Sequence, residues 1–385
     1  MKPSDPSSLT GWRGLREQPW ILAVAVWLPP LVTLLFIAVF VTGSPRALSI
    51  GVVDLDHSQQ SRALQRLLNA NPALELTHSY PSAQEGSKAL KQGEILALVI
   101  IPAHFNRDLI RGTSPEVTAF YNSQYLLAGK FIASALSQTS FSFAARSGLA
   151  LRLGQGQSLP QAMAGAAPLR PQITSLYNPG MSYARFLVTS IAPAAWQILI
   201  VVSTVLLLGW RLEKAPLPDG FGPRCHACYR LLGPLFLVLW LQGLIMLVLF
   251  QSWLGWDPEG NVFWLMVGMA LMVLAVQSMA ILILAVLPNT VRALSICAAY
   301  LAPAFAFMGI TFPRGDMNAL AWTWGGLMPS THYMELQVAV ADHGAGLSVL
   351  LPPLFILLLF LLPLPLAIHS LPSRIIEDPV AQVTP

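Results

Sequence analysis

Residues 20–54 read WILAVAVWLPPLVTLLFIAVFVTGSPRALSIGVVD, an apolar run that passes directly into a strand-like segment. Residues 20–42 carry no charge and provide the roughly 20 residues that a helix needs to cross a hydrocarbon core. Residues 47–54 are apolar, rich in β-branched side chains, and open a polar stretch that lasts to about Tyr183. The sequence therefore predicts a membrane span followed by a folded polar insert.

Five more apolar segments follow the polar insert. They cover residues 186–210, 231–253, 262–287, 293–312 and 349–368, each close to the length of a span. Composition agrees, because 55% of the residues are hydrophobic, only 10% are charged and the mean hydropathy is +0.60. A soluble domain is more polar. The predicted fold is a polytopic α-helical membrane protein with six transmembrane helices and an inserted extracytoplasmic α/β domain after the first helix.

The predicted domains follow these boundaries. Residues 1–19 form a cytoplasmic N-terminal segment, either an interfacial helix or a disordered tail. The first transmembrane helix covers residues 20–42, and the extracytoplasmic α/β domain with a long helix covers 44–183. Transmembrane helices 2–6 occupy residues 186–368, and residues 369–385 are a cytoplasmic tail. Within the insert, residues 154–171 are predicted to be a connector rich in Gly, Gln and Pro.

The orientation is predicted from lysines and arginines outside the long insert, because short cytoplasmic loops carry an excess of these residues. With both termini inside, the cytoplasmic segments hold nine basic residues, namely Lys2, Arg13, Arg16, Arg211, Lys214, Arg224, Arg230, Arg292 and Arg374. The short outer loops hold only Arg314. Both termini are therefore predicted to be cytoplasmic, with the insert on the opposite side.

Motifs for chemistry are missing from the sequence. The pair Gly129-Lys130 lacks the upstream glycine of a phosphate-binding loop and is followed by Phe131, so no nucleotide hydrolysis is expected of this chain. Cys225 and Cys228 form a single C-x-x-C motif with no second pair of cysteines in the chain. Two reduced cysteines are therefore favoured over a metal site, unless two copies of the chain share the ligands. The sequence shows no catalytic or cofactor-binding site, no metal site and no nucleic-acid patch. We predict a protein that is not an enzyme.

His332 and Glu335 lie one helical turn apart but lack a third ligand, so a structural role is favoured. The spans contain no acidic or basic residue that could carry an ion or a proton across the membrane. If this membrane block moves a substrate, the energy is expected to come from a partner.

Several segments resemble the permease subunits of ABC-2 type exporters, in the branch with a large extracytoplasmic insert. Residues 50–58, IGVVDLDHS, resemble that family's first strand and helix, and residues 93–102, GEILALVIIP, resemble its central strand. Residues 177–179, 308–313 and 327–335 resemble the segments that flank later spans. The matching positions are Asp54, Asp56, Ser58, Pro102, Asn178, Pro179, Gly309, Pro313, Pro329 and Glu335.

This resemblance implies a multi-pass permease of the bacterial inner (cytoplasmic) membrane with a periplasmic insert. Its energy would come from a separate cytoplasmic ABC ATPase subunit that binds ATP and Mg. Expected partners are a second permease copy or paralogue, membrane lipids, and a periplasmic adaptor with an outer-membrane channel. The expected substrate of this efflux is hydrophobic or amphipathic, drug-like or lipid-like. The alternative is a membrane-anchored receptor or assembly scaffold that acts through its extracytoplasmic domain.

The loop after the second span departs from the family pattern. Residues 211–223 read RLEKAPLPDGFGP, and their prolines and glycines disfavour the coupling helix expected there. We therefore expect this subunit either to pair with a better-coupled permease or to bind its ATPase mainly around Trp12. The candidate coupling residues are Trp12, Arg13, Arg16, Glu17, Arg211, Glu213 and Lys214.

Overall fold

The fold is taken from a computed structural model that describes residues 11–12, 18–40, 46–113, 115–166, 178 and 182–373. The chain divides into two compact units, one formed by Met1–Gly43 with Ser175–Pro385 and the other by Ser44–Thr174. In chain order the elements are α1 (Pro19–Phe40), β1 (Leu48–Asp54), α2 (Gln59–Asn69), β2 (Leu74–Ser79), α3 (Ala83–Gln92), β3 (Ala97–Ile101), α4 (Phe105–Ile110), β4 (Thr118–Tyr121), α5 (Leu126–Gly154), α6 (Leu159–Ala166), α7 (Tyr183–Lys214), α8 (Phe221–Leu254), α9 (Val262–Val286), α10 (Thr290–Leu301), α11 (Ala304–Phe307), α12 (Ala319–Gly326), α13 (Pro329–Ala341), α14 (Leu347–Leu359) and α15 (Leu364–Ser370).

Six helical segments in the described residues are long and apolar enough to cross a membrane. They are α1, α7, α8, α9, α10 with α11, and α14 with α15. The prediction of six spans is thereby confirmed. The last two are interrupted, because Pro303 and Pro363 stand where a continuous helix would need a backbone N–H.

Helix α1 contains Pro29 and Pro30, whose missing N–H groups leave the carbonyls of Ala25 and Val26 without their usual helical donors. The side chain of Gln242 on α8 supplies the missing donor. Its Nε2 atom donates to the Ala25 carbonyl and, at 3.2 Å, to the Val26 carbonyl. A polar side chain in one span thus satisfies the backbone of another.

Helix α7 shows the same arrangement at Pro193, which cannot donate to the carbonyl of Thr189. Gln337 Nε2 on α13 donates to this carbonyl at 3.0 Å. A second contact between the helices runs the other way, because the Ser330 N–H donates to Gln197 Oε1 on α7 at 2.8 Å. Helix α13 lies in a predicted outer loop, yet most of its residues are buried. These contacts hold it against the second span.

The unit Ser44–Thr174 is built on a four-stranded sheet in the order β2-β1-β3-β4. Strand β1 pairs in parallel with β2 and β3, and β4 is antiparallel to β3. Apolar side chains of α2, α4 and α5 pack on one face of the sheet, where Phe105 stacks on Phe143 with ring centroids 5.7 Å apart. Helix α3 packs on the other face around Leu98. The sheet is therefore covered by helices on both faces.

Two of the loop predictions need correction. The predicted connector at residues 154–171 contains the helix α6, whose apolar Ala162 is buried. The predicted non-helical stretch at 211–223 is confirmed only for residues 215–220, because α7 continues to Lys214 and α8 begins at Phe221. Pro223 fits the first turn of α8, where a backbone N–H has no helical acceptor in any case.

Candidate functional site

Asp54 organises the turn that follows strand β1 of the insert. Its Oδ1 atom accepts hydrogen bonds from the backbone of Asp56 at 3.1 Å and His57 at 3.0 Å. Its Oδ2 atom accepts from Ser61 Oγ at 2.7 Å and Gln65 Nε2 at 2.8 Å. The carboxylate is buried and its acceptor sites are occupied by this turn and by α2. Asp54 therefore acts as a structural residue in this arrangement.

Asp56 and Ser58 continue the same turn. Ser58 caps α2 by accepting from the Ser61 N–H at 3.1 Å, while Asp56 Oδ2 accepts from the Asn106 N–H at 3.0 Å at the start of α4. Partial burial raises the pKa of Asp56, but hydrogen bonds from Ser58, Asn106 and His104 outweigh it and bring the pKa below its usual value. Pro102 directly follows β3. These four motif positions connect the ends of β1 and β3 to the helices that follow.

A second group, which we call the Arg314 cluster, joins Arg314, Glu335 and His332. Arg314 Nε lies 3.3 Å from Glu335 Oε1, and Glu335 Oε2 lies 3.2 Å from His332 Nδ1. The other ring nitrogen, Nε2, lies 2.9 Å from the carbonyl of Gly326. Both ring nitrogens thus face oxygen atoms, which hold the ring between Glu335 and the Gly326 carbonyl.

The motif glycine and prolines surround the Arg314 cluster. Gly309 has φ +94°, and a Cβ added there would lie 2.8 Å from Arg314 Cγ, so both its conformation and this contact favour glycine. Pro313 directly precedes Arg314, and Pro329 is the first residue of α13, the helix that carries His332 and Glu335. The guanidinium of Arg314 also lies 5.4 Å from the ring centroid of Trp322. Sequence reasoning treated Arg314 only as an orientation signal.

A cavity of about 280 Å³ with both polar and apolar walls lies beside α13 and the start of α7. Arg185, Asn178, Gly309, Gln337 and Asp342 are among the residues that line it. Burial raises the pKa of Asp342, although the nearby His343 and Arg185 act in the opposite direction. Asn178 bonds through its side chain to both the N–H and the carbonyl of Ser182, which precedes α7. Its neighbour in the motif, Pro179, lies outside the described residues.

The loop at residues 215–220 joins α7 to α8 and is held by Arg224. The Arg224 guanidinium donates to the carbonyls of Pro218, His369 and Leu371 at 3.2, 2.9 and 3.1 Å. It also donates to Ser373 Oγ at 3.2 Å. A single side chain thus connects this loop to the end of the last span. Sequence patterns do not predict this role, because Arg224 is recognisable only as a further basic residue near the loop.

The candidate coupling residues are placed differently from one another. Arg211 is buried and donates to the carbonyl of Ala215, so it closes the last turn of α7 and does not face outward. Glu213 and Lys214 are exposed next to the loop, and Trp12 is half-exposed. Arg13, Arg16 and Glu17 lie outside the described residues.

An apolar cavity of about 780 Å³, called here the Trp12 cavity, lies between α8, α9 and α15. Its walls include Trp12, Phe221, Tyr229, Phe236, Ile281 and Ile368. Cys225 and Cys228 also line it, and all three cysteines of the chain are free. Among the described residues, no group of three or more His, Cys, Asp or Glu side chains is placed to hold a metal ion.

The six long apolar helices are those of a polytopic membrane protein. Residues 19–364 match the family model of ABC-2 family transporter proteins, and the chain belongs to this family. It is therefore a permease, a membrane transport component that is not itself catalytic. The chain is also 23% identical over 330 residues to the inner membrane transport permease YhhJ of Escherichia coli K12 and to the protein of the same name from Shigella flexneri. These alignments cover 80% of this chain and 81% of each relative.

Proposed function

We propose that this chain is the permease of an ATP-driven exporter in the bacterial inner membrane. A separate cytoplasmic ABC ATPase would drive it, and a second permease copy or a paralogue would complete the membrane unit. Both termini would be cytoplasmic and the insert periplasmic, where an adaptor leading to an outer-membrane channel could bind it. The substrate would be hydrophobic or amphipathic, drug-like or lipid-like.

The observation that supports this proposal most directly is the 215–220 loop. Arg224, at the start of α8, bonds to this loop and to the end of the last span. The loop is therefore attached to α8 and to the last span as well as to α7, which precedes it. Glu213 and Lys214 are exposed beside it. Force applied to such a loop by an ATPase would reach several helices together. The Trp12 segment provides a second candidate contact for the ATPase.

Affinity purification of the chain from its native membranes in a mild detergent, followed by mass spectrometry, tests this function. We expect recovery of an ATPase that carries nucleotide-binding motifs, together with a second permease chain. Recovery of this chain alone would favour the receptor or scaffold instead.

The contact point is tested with two variants, Trp12→Ala and the double change Glu213→Ala with Lys214→Ala. If the N-terminal segment carries most of the binding, the first variant loses the ATPase and the second keeps it. Arg211 is left unchanged because it is buried. Arg146→Ala, an exposed change in the insert, is the matched control and should recover the ATPase normally.

A further inference from the structure

Two adjacent polar residues of α9 carry a cost that the fold does not explain. Gln277 and Ser278 line the Trp12 cavity and are almost fully buried, with exposed fractions of 5% and 1%. Among the described residues, neither Gln277 Nε2 nor Ser278 Oγ has a hydrogen-bond partner. A buried polar atom without a partner costs about 1–3 kcal/mol, so leucine and alanine at these positions would be more stable. The presence of these two side chains therefore indicates a ligand that supplies the missing hydrogen-bond partners.

The pair also differs from three other buried glutamines, two in the spans and one on α13, each of which is held by a second helix. Gln197, Gln242 and Gln337 each bond through one amide atom to the backbone of another helix, although the other amide atom of each also lacks a partner among the described residues. Gln277 lies nine residues before the end of α9 at Val286, or roughly 14 Å along the helix axis. The cavity walls around this depth are apolar. The polar pair is thus well placed to select a ligand that has a polar group within an otherwise apolar body.

The chemistry of the cavity limits what it can bind. Among the described lining residues, the only charged side chain is Arg230, which is exposed, and none is acidic. Gln277 Nε2 is a donor, and the hydroxyl of Ser278 can donate as well. The exposed Arg230 guanidinium fits an anionic group of a ligand. The buried donors of Gln277 and Ser278 fit an oxygen acceptor further along the same ligand. The remaining walls fit a hydrocarbon chain.

The wall that α8 contributes to the cavity includes Gly233 and Pro234, next to each other in the chain. Pro234 cannot donate to the carbonyl of Arg230, and a Cβ added to Gly233 would lie 4.0 Å from its nearest neighbour, Tyr229. The missing side chain at Gly233 therefore leaves space beside Tyr229 in this wall of the cavity, where α8 remains a continuous helix. A volume of about 780 Å³ is within the usual range of small-molecule sites.

We propose that the Trp12 cavity binds a single-chain anionic amphiphile with an ester carbonyl, of the lysophospholipid type. Its anionic head contacts Arg230, its carbonyl accepts from Gln277 and Ser278, and its acyl chain occupies the apolar part of the cavity. This inference rests on the proposed function, since it names a substrate class for the same permease. It goes beyond that function because it names the ligand, an amphiphile with a single acyl chain, and the side chains that bind it.

Protection of Cys225 provides a local measure of binding, because Cys225 lines the cavity and is half-exposed whereas Cys228 and Cys297 are buried. The full chain in detergent is alkylated with a maleimide, and the rate at Cys225 is read by peptide mass spectrometry. The three probes are oleoyl lysophosphatidylglycerol, oleoyl lysophosphatidylcholine, and a lysophosphatidylglycerol whose oleyl chain is ether-linked. We expect the first to protect Cys225 at a concentration about tenfold below either of the others, because the choline ammonium repels the Arg230 guanidinium and the ether lacks the carbonyl acceptor. A tenfold difference corresponds to about 1.4 kcal/mol.

Variants assign each preference to its residue. Arg230→Gln should abolish the preference for the glycerol over the choline head, and Arg230→Lys should retain it. Gln277→Leu combined with Ser278→Ala should abolish the preference for the ester over the ether. The latter variant should also unfold at a higher temperature than the parent, which excludes misfolding as the cause. Arg146→Gln and Ser295→Ala, exposed changes away from the cavity, should leave both preferences intact.

Equal protection by all three probes, or preferences that survive the cavity variants, would overturn this site. The same holds if cross-linking from Cys225 reaches a second permease chain and no lipid, because the cavity would then be a subunit contact. None of these results requires the ATPase. A chain that fails here but is purified with an ATPase would lose this substrate site and keep its proposed function.

Discussion

Arg314 is the residue that connects the motif positions within residues 309–335. It contacts Glu335 across 3.3 Å, packs against Gly309 and lies near the ring of Trp322. Its side chain is only 14% exposed, whereas that of Glu335 is 39% exposed. Its value to the fold therefore comes from packing and charge together, with the ion pair itself partly screened by solvent.

Arg314→Met should lower the free energy of unfolding by about 1–2 kcal/mol, because the ion pair and the cation–π contact are lost together. Thermal unfolding of the detergent-solubilised protein measures this loss. Arg314→Lys, which retains the charge but not the planar group, should lie between the parent and Arg314→Met. An unchanged midpoint in Arg314→Met would show that the Arg314 cluster does not stabilise the fold.

Asp342 makes stability depend on pH. Because burial raises its pKa above the usual 3.8, the folded state binds a proton more readily than the unfolded state. Between 3.8 and the raised folded value, the unfolded state is therefore the one that binds fewer protons, and stability falls as pH rises. Asp342→Asn should flatten this part of the profile of unfolding midpoint against pH. A profile as steep as that of the parent would contradict the assignment.

Pairs of helices in this protein are joined where prolines interrupt their backbones. Gln242 bonds to the carbonyls released in α1, and Gln337 bonds to the one released in α7. Interhelical hydrogen bonds of this kind are worth about 1–2 kcal/mol or less in membrane helices. They add direction to apolar packing, because each fixes one helix against a defined turn of another.

Gln242→Leu should lower the free energy of unfolding by about 1–2 kcal/mol, since two carbonyls of α1 lose their donor. Gln251→Leu is the matched control on the same helix, where the side chain is exposed, and it should change little. Thermal unfolding measures both variants. Equal midpoints in the two variants would show that the contact with α1 carries no stability.

The elements themselves could largely be predicted from the sequence. Six apolar runs predicted the six spans, and the strand-like segment at residues 47–54 corresponds to β1 in an insert that has both strands and helices. The boundaries at Phe221 and around α6 were wrong, because proline in a first helical turn and a short Ala-rich helix both resemble loop sequence. The roles of Gln242 and Gln337 require knowing which helices touch, and one sequence does not contain that information.

The candidate sites were less predictable for a similar reason. Asp54, Gly309 and Glu335 were singled out by resemblance, and the structure gives each of them defined contacts. Arg224, Gln277 and Ser278 belong to no motif. The sequence signal for the Trp12 cavity is a glutamine next to a serine within an uncharged segment. This signal becomes informative only when the structure shows that both side chains are buried.

At the scale of the whole molecule, the proposed orientation is open to a direct test. Single cysteines are introduced as Glu213→Cys, Asp257→Cys and Arg111→Cys, all exposed positions, with Cys225 replaced by serine. A membrane-impermeant maleimide applied to spheroplasts should label Asp257→Cys and Arg111→Cys but leave Glu213→Cys unlabelled until the cells are opened. The reverse pattern would place the termini and the 215–220 loop outside.

The contact between Gln242 and the first span also bears on how the protein is made. Helix α1 leaves the ribosome some two hundred residues before Gln242, since 217 positions separate Ala25 from Gln242. Until the third span arrives, the Ala25 and Val26 carbonyls have no donor from α8, and unsatisfied backbone groups are costly within a bilayer. The first span should therefore remain close to the insertion machinery, or near its water-filled interior, until α8 is synthesised. Biogenesis of this permease would then be cooperative across its first three spans.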